Sequence, residues 1–293
     1  MKWTKNLLAA SAVLIIALAP LAGLAKLSCD PIHSYAFQRA FEVEGRQGIA
    51  TDGEYLYVSG STILYKYSMD GTLILKNDHP FDRLEKACNH IGDIDVYNNE
   101  IYAGCETFID GQGKNIQVAI YDAGTLEYKR SIDWNPNSGQ VEVCGLTVDV
   151  KNNAVWMADW VGGRYLYHYD LTTGDYTGKL HLQPVPQYQQ GIFCWDGYIY
   201  ITADDGDAED DEYDHLYRVE ANTSITAAPV YLEKTFTEVT RTGEIEGLTV
   251  NPKTGEFMVM FNRGTRVILG MPRGFYPGYD HEIHEIYVYG VTE

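Results

Sequence analysis

The sequence predicts an all-β fold, a five-bladed β-propeller whose ring is closed by an N-terminal strand pairing into the last blade. Three observations predict it. A Gly-led phrase of aliphatic strand, tight turn and aromatic-rich strands recurs at a period of about 50 residues. A spare strand precedes the first copy, and the last copy lacks its fourth strand. Past the N-terminal leader, tyrosine, valine and isoleucine follow strand spacing, with a short helix expected only near residues 80–87.

The elements follow in order. Lys2 and Lys5 precede an apolar run over residues 7–25 that ends in Gly23-Leu24-Ala25, the pattern of an export signal cleaved after Ala25. Residues 1–25 are therefore expected to leave, and 26–293 to form a single propeller domain. An uncleaved anchor and a lipid-modified Cys29 are the rival readings. Pro20 and the small residues favour cleavage, and Lys26 stands where a lipobox needs an aliphatic residue. The spare strand spans residues 35–43. The copies open at Gly48, Gly92, Gly145, Gly191 and Gly247, each followed by two further strands. Fourth strands are expected at 72–76, 127–132, 176–182 and 229–234. A six-bladed ring with one degenerate blade is the alternative.

Loop lengths choose a working face. The A–B and C–D turns are tight, as at Asp52-Gly53 and Asn98-Asn99, whereas the D–A loop 77–91 and the B–C loops 108–115, 204–214 and 263–283 are long. Long loops on a rigid scaffold carry function. The site is thus expected at the channel mouth on the B–C/D–A side, covered by the segment around Met271-Pro272-Arg273-Gly274-Phe275.

Inner strands enter from that face, so the residues beside the repeat glycines line the mouth. They include Gln47, Glu142, Cys144, Gln190 and Glu246, joined by Glu106, Trp160, Asn262 and Arg263 at the returning strand ends; all of these except Cys144 and Glu246 are the expected ligand-binding residues. Crowded carboxylates repel unless a cation neutralises them, and oxygen-rich convergence suits Ca²⁺ or Mg²⁺. Asp93, Asp159, Asp204 and Glu246 are therefore the expected ligands of a divalent cation, with Ca²⁺ favoured. His90 stands just before an inner strand and is a candidate general base beside Glu246, should the chain be an enzyme. The acidic run 204–212 lacks calcium-loop spacing and reads as a solvated hairpin, and His281 and His284 read as structural.

The formal charge is −19, which disfavours nucleic acid and anionic lipid as partners and favours cations, basic proteins and neutral sugars. Past the leader no stretch is apolar enough to span a bilayer, so no integral membrane domain is expected in the mature chain. Five cysteines (Cys29, Cys88, Cys105, Cys144, Cys194) form no C-x-x-C pair, and an odd count leaves at least one outside an intrachain disulfide.

Cys144-Gly145-Leu146-Thr147-Val148-Asp149 and Glu246-Gly247-Leu248-Thr249-Val250-Asn251 resemble blade openings of gluconolactonase-type propellers. That resemblance implies a divalent metal held by an opening Glu with later Asn and Asp residues, serving lactone or phosphotriester hydrolysis. Glu246 matches in type and position, while Cys144 stands where the family has Asn. Residues 93–134 are similar in rhythm to olfactomedin-type propellers, which implies an extracellular, calcium-binding, non-enzymatic module.

The leading functional expectation is an extracytoplasmic propeller, secreted or periplasmic, that binds a small molecule, sugar or protein at a cation-containing mouth. A metal-dependent lactonase, esterase or phosphoesterase using the same residues is the alternative. A glycosidase with a carboxylate pair among Asp93, Asp159 and Glu246 is the third reading.

Overall fold

The computed structural model describes residues 30–109, 112–160, 162–208, 210, 212–239, 242–268 and 271–293. The expected leader and Cys29 lie outside the described residues. After β1 (Ser34–Glu42), each repeat forms an antiparallel meander in the predicted place. The first is β2 (Ile49–Thr51), β3 (Tyr55–Ser59), β4 (Leu64–Ser68) and β5 (Leu73–Asn77). The second is β6 (His90–Tyr97), β7 (Glu100–Ile109), β8 (Gln112–Asp122) and β9 (Tyr128–Asp133). The third is β10 (Gly145–Asp149), β11 (Ala154–Ala158), β12 (Tyr165–Asp170) and β13 (Tyr176–Gln183). The fourth is β14 (Gln189–Trp195), β15 (Tyr198–Ala203), β16 (His215–Glu220) and β17 (Ala227–Thr235). The last combines β18 (Ile245–Val250) and β19 (Phe257–Arg263), the side hairpin β20 (Thr265–Ile268) and β21 (Met271–Phe275), and β22 (Ile283–Thr292).

The closing strand pairs as expected. β1 runs antiparallel to β22, from Ser34 opposite Thr292 to Glu42 opposite Glu285, and completes the sheet β1-β22-β19-β18. One pairing was not legible in the sequence. His181–Gln183 of β13 runs parallel to 227–229 of β17, which joins the third and fourth meanders into an eight-stranded sheet. This contact covers part of two outer edges that would otherwise stand open.

The inner strands touch in cyclic order: β2 meets β6, then β10, β14 and β18, and β18 returns to β2. This crowding explains the repeat glycines. A Cβ at Gly191 would lie 2.6 Å from the Gly247 Cα, and one at Gly92 would lie 2.7 Å from the Cys144 carbonyl oxygen. Only hydrogen fits where two backbones cross so closely. Apolar clusters fill the spaces between neighbouring sheets. Tyr102, Leu146 and Met157 pack between the second and third meanders, and Ile49, Val58, Met258 and Val288 pack between the first and the last.

Two sequence expectations change. Residues 80–87 form turns, not a helix, because Asp82 and Leu84 reach back only three residues for their carbonyl partners. The long connection 263–283 is not structureless, since its central part folds into the β20–β21 hairpin. Among the described residues the one helical turn is the 3-10 segment Pro136–Ser138, and no helix is long and apolar enough to cross a membrane.

Candidate functional site

The inner strands do not enter the ring straight. β6, β14 and β18 each break register with their neighbour at the repeat glycine, between Ile91 and Ile94, Gln189 and Ile192, and Ile245 and Leu248. Such bulges re-aim side chains. Here they face a cavity of about 170 Å³ at the ring mouth. Gln47, His90, Glu142, Trp160, Gln190 and Glu246 line it, all expected from the sequence, as do Cys144 and Glu244. Val267 and Pro272 of the β20–β21 hairpin form part of its wall, so the segment expected as a cover does reach the mouth.

Glu246 is the most enclosed carboxyl in this wall, 3% exposed. The Asn262 amide donates to its Oε1 at 2.8 Å. Burial holds the carboxyl well above the ordinary Glu range, and the charge of Glu244 adds to the shift while Arg46 opposes it. Burial thus opposes the charged form of Glu246 where it meets the cavity. Arg46 was not anticipated, because it sits in the loop before β2 rather than at a strand end. Its guanidinium lines the same cavity, bonded to Glu282 at 3.0 Å and to Glu244 at 3.3 Å. Phe108 and Ser61, also unanticipated, complete the wall.

His90 stands directly across the ladder from Glu106, with Nδ1 3.4 Å from Oε1. Burial pushes His90 down to about 4 and Glu106 up to about 8. Glu106 is fully buried behind the wall, its Oε2 accepting from the Val143 amide at 3.1 Å. Trp160 packs its ring against Tyr188, and its backbone N–H donates to Glu142 Oε2 at 2.6 Å.

The other expected residues go elsewhere. Asp93 turns into the ring axis, where it accepts from Ile94 at 2.9 Å and Ile192 at 3.0 Å and comes within 3.5 Å of the Leu146 amide. Asp159 accepts from the amides of Val141 and Glu142 and from the Tyr167 hydroxyl, holding the loop that carries Glu142. Asp204 lines a neighbouring cavity of about 240 Å³, with Asp207, Asp214 and Arg266. Asn262 lies behind Glu246, and Arg263 turns outward to Glu285 and Tyr279. Of Asp93, Asp159, Asp204 and Glu246, only Glu246 lines the mouth cavity. Among the described residues no three His, Cys, Asp or Glu side chains are arranged to hold a metal ion. Of the three carboxylates named as examples for glycoside cleavage, Asp93, Asp159 and Glu246, only Glu246 lines the mouth. His284 bonds Asn262 at 2.9 Å, a structural role, and the described cysteines are all free thiols.

No family model and no curated protein matches the chain. Among solved structures, the glutaminyl cyclase of Myxococcus xanthus is similar over 90% of this chain and 100% of that one, at TM-score 0.56 and 13% identity. The chain is a β-propeller. Hydrazine synthase of Kuenenia stuttgartiensis (TM-score 0.43, 13% identity, 74% of this chain and 64% of that one) and a nidogen/laminin complex (0.44, 13%, 66% and 70%) are similar more loosely. At such identity the propeller likeness concerns the fold alone.

Proposed function

We propose that the propeller has five blades and that its mouth is a reaction site for a small amide-bearing group, with Glu246 as the proton-transferring acid. The cyclic contacts of β2, β6, β10, β14 and β18 support the blade count. One observation carries the chemistry: a buried carboxyl whose ionisation burial opposes, fixed by Asn262 and facing a cavity walled by Gln47, Gln190, Trp160 and Phe108. A neutral acid suits a leaving group that must take a proton, which an amide nitrogen must.

The activity named for the Myxococcus propeller, cyclisation of a glutaminyl group, is the first member of this class to test. In such a step the free amino nitrogen bonds to the side-chain carbonyl carbon and the carbon–nitrogen bond of the amide breaks. Ammonia leaves with the proton of Glu246, and the carboxylate regains one from the attacking amine. The experiment incubates the protein with peptides beginning in glutamine and follows ammonia release and product mass. Turnover that Glu246→Gln abolishes, with peptide binding kept, supports the reading. Binding with no turnover in the native protein favours a second reading, a pure binding propeller. That reading is supported by exposed Ile109 and Phe275 at the ends of β7 and β21, and exposed Val141 and Tyr188 on loops. For the leader we propose export with cleavage after Ala25, tested by N-terminal sequencing of secreted protein.

A further inference from the structure

We infer that His90 presents its Nε2–H to the bound ligand as a fixed hydrogen-bond donor, and that Glu106 is the positioning residue that sets this tautomer. For the ligand's identity the inference rests on the reading above; for the tautomer it rests on the enclosure and contacts of Glu106.

The Glu106 carboxyl is wholly enclosed. Gly113 packs so closely on its Oε2 that a Cβ there would collide with it. Oε2 accepts the Val143 amide hydrogen, which leaves Oε1 as the oxygen free to carry a proton, and Oε1 faces His90 Nδ1. No cation is bonded to this carboxyl among the described residues apart from what His90 itself could become. A buried carboxylate with one amide donor is costly, so the group keeps its proton. The Glu106 O–H then donates to Nδ1. If the proton crosses to the ring instead, an imidazolium forms. Either way Nε2 bears hydrogen.

Nε2 has no protein partner among the described residues, and the His90 side chain, 21% exposed, lines the mouth cavity. Its N–H is therefore available to an acceptor oxygen on the ligand, such as an amide carbonyl, and can stabilise charge developing there. Around the pair, the charged and titratable groups of the cavity wall are Arg46, Glu142, Cys144, Glu244 and Glu246. This role replaces the general base expected from the sequence. A base would need a bare Nε2, which arises only once Glu106 ionises, and burial holds that event up to about 8.

Ring-nitrogen NMR on ¹⁵N-histidine-labelled, ligand-free protein tests the assignment, with His90→Asn identifying the signals. The expected result is a protonated Nε2 and an accepting Nδ1 near neutral pH, reverting to a bare Nε2 above about 8. Glu106→Gln should keep the donor tautomer, because its amide can still donate to Nδ1, and should remove the alkaline reversal. Glu106→Leu should give mixed tautomers. A bare Nε2 near neutral pH in the native protein overturns the inference, as does a Glu106→Leu spectrum unchanged from native. A His90→Phe variant should bind a glutamine-initial peptide about tenfold more weakly; equal affinity would remove the ligand contact. If no such peptide binds the native protein, the proposed substrate class fails while the NMR result stands on its own.

Discussion

The amide of Asn262 ties Glu246 to the frame of the ring. Its Nδ2 donates to Glu246 Oε1 at 2.8 Å and to the Arg46 carbonyl oxygen at 3.0 Å, while its Oδ1 meets His284 Nδ1 at 2.9 Å. One side chain on β19 thereby fixes an acid on β18, the loop before β2 and a histidine on β22. Asn262→Leu leaves these buried groups without partners and should cost about 1–3 kcal/mol in stability, measured by urea denaturation. It should also weaken ligand binding at the mouth. A stability change near zero would mean that the amide is not a strut.

Stability should fall as pH rises. Burial pushes Asp95 up to about 6, Asp159 up to about 7 and Glu106 up to about 8. The folded chain holds these protons, whereas the unfolded chain releases them near the ordinary carboxylate values of 3.8 and 4.5. The contribution is whole below those values and is lost as pH climbs toward about 8. A Tm series from about pH 5 to about pH 9 should therefore decline, and Glu106→Gln should flatten the decline. A rising series would contradict this assignment.

The ring is latched where its ends meet. Arg218 and Glu233, 1% and 2% exposed, bond at 2.6 Å. Glu233 also accepts from the amides of Ile32 and His33 and from the Tyr35 hydroxyl, and Arg218 donates to the Asp30 carbonyl oxygen. The fourth meander thus holds the residues that lead into β1. Arg218→Met strands a buried carboxylate and should cost about 3–5 kcal/mol. Hydrogen exchange should show β1 amides losing protection first. Uniform loss across all sheets would argue against a local latch.

Gly191→Ala should be among the most damaging single-methyl changes. The new Cβ would meet backbone of β18 as well as the Leu248 side chain, and backbone cannot move aside as a flexible side chain does. The expected loss is about 3 kcal/mol, read by thermal denaturation. Gly162→Ala, with nothing within 4 Å of its Cβ, is the control for the clash, although its φ of +68° adds backbone strain.

The repeat was legible because a physical constraint writes it: inner strands cross backbone to backbone at Gly92, Gly191 and Gly247, and tyrosine-rich strands fill the spaces outside. The mouth was half legible. Residues in the first two positions of inner strands, such as His90, Gln190 and Glu246, face the cavity as expected. Asp93 does not, because the bulge between Ile91 and Ile94 turns it into the axis toward the amides of Ile94 and Ile192. Simple alternation along a strand carries no sign of such a bulge. Asp159 was misplaced for a different reason. The loop carrying Val141 and Glu142 folds over it and takes both its oxygens, one with amides and one with Tyr167. The β13–β17 pairing was invisible because it joins short stretches at the ends of two outer strands whose residues bear no mark of edge contact.

The protonation state of Glu246 tests the account most directly. Infrared difference spectra between native protein and Glu246→Gln at neutral pH isolate its carboxyl band. The account predicts a protonated carboxyl whose band disappears in the variant. An ionised carboxylate at neutral pH would contradict it, because the mouth would then hold a charge where the proposed chemistry requires an acid.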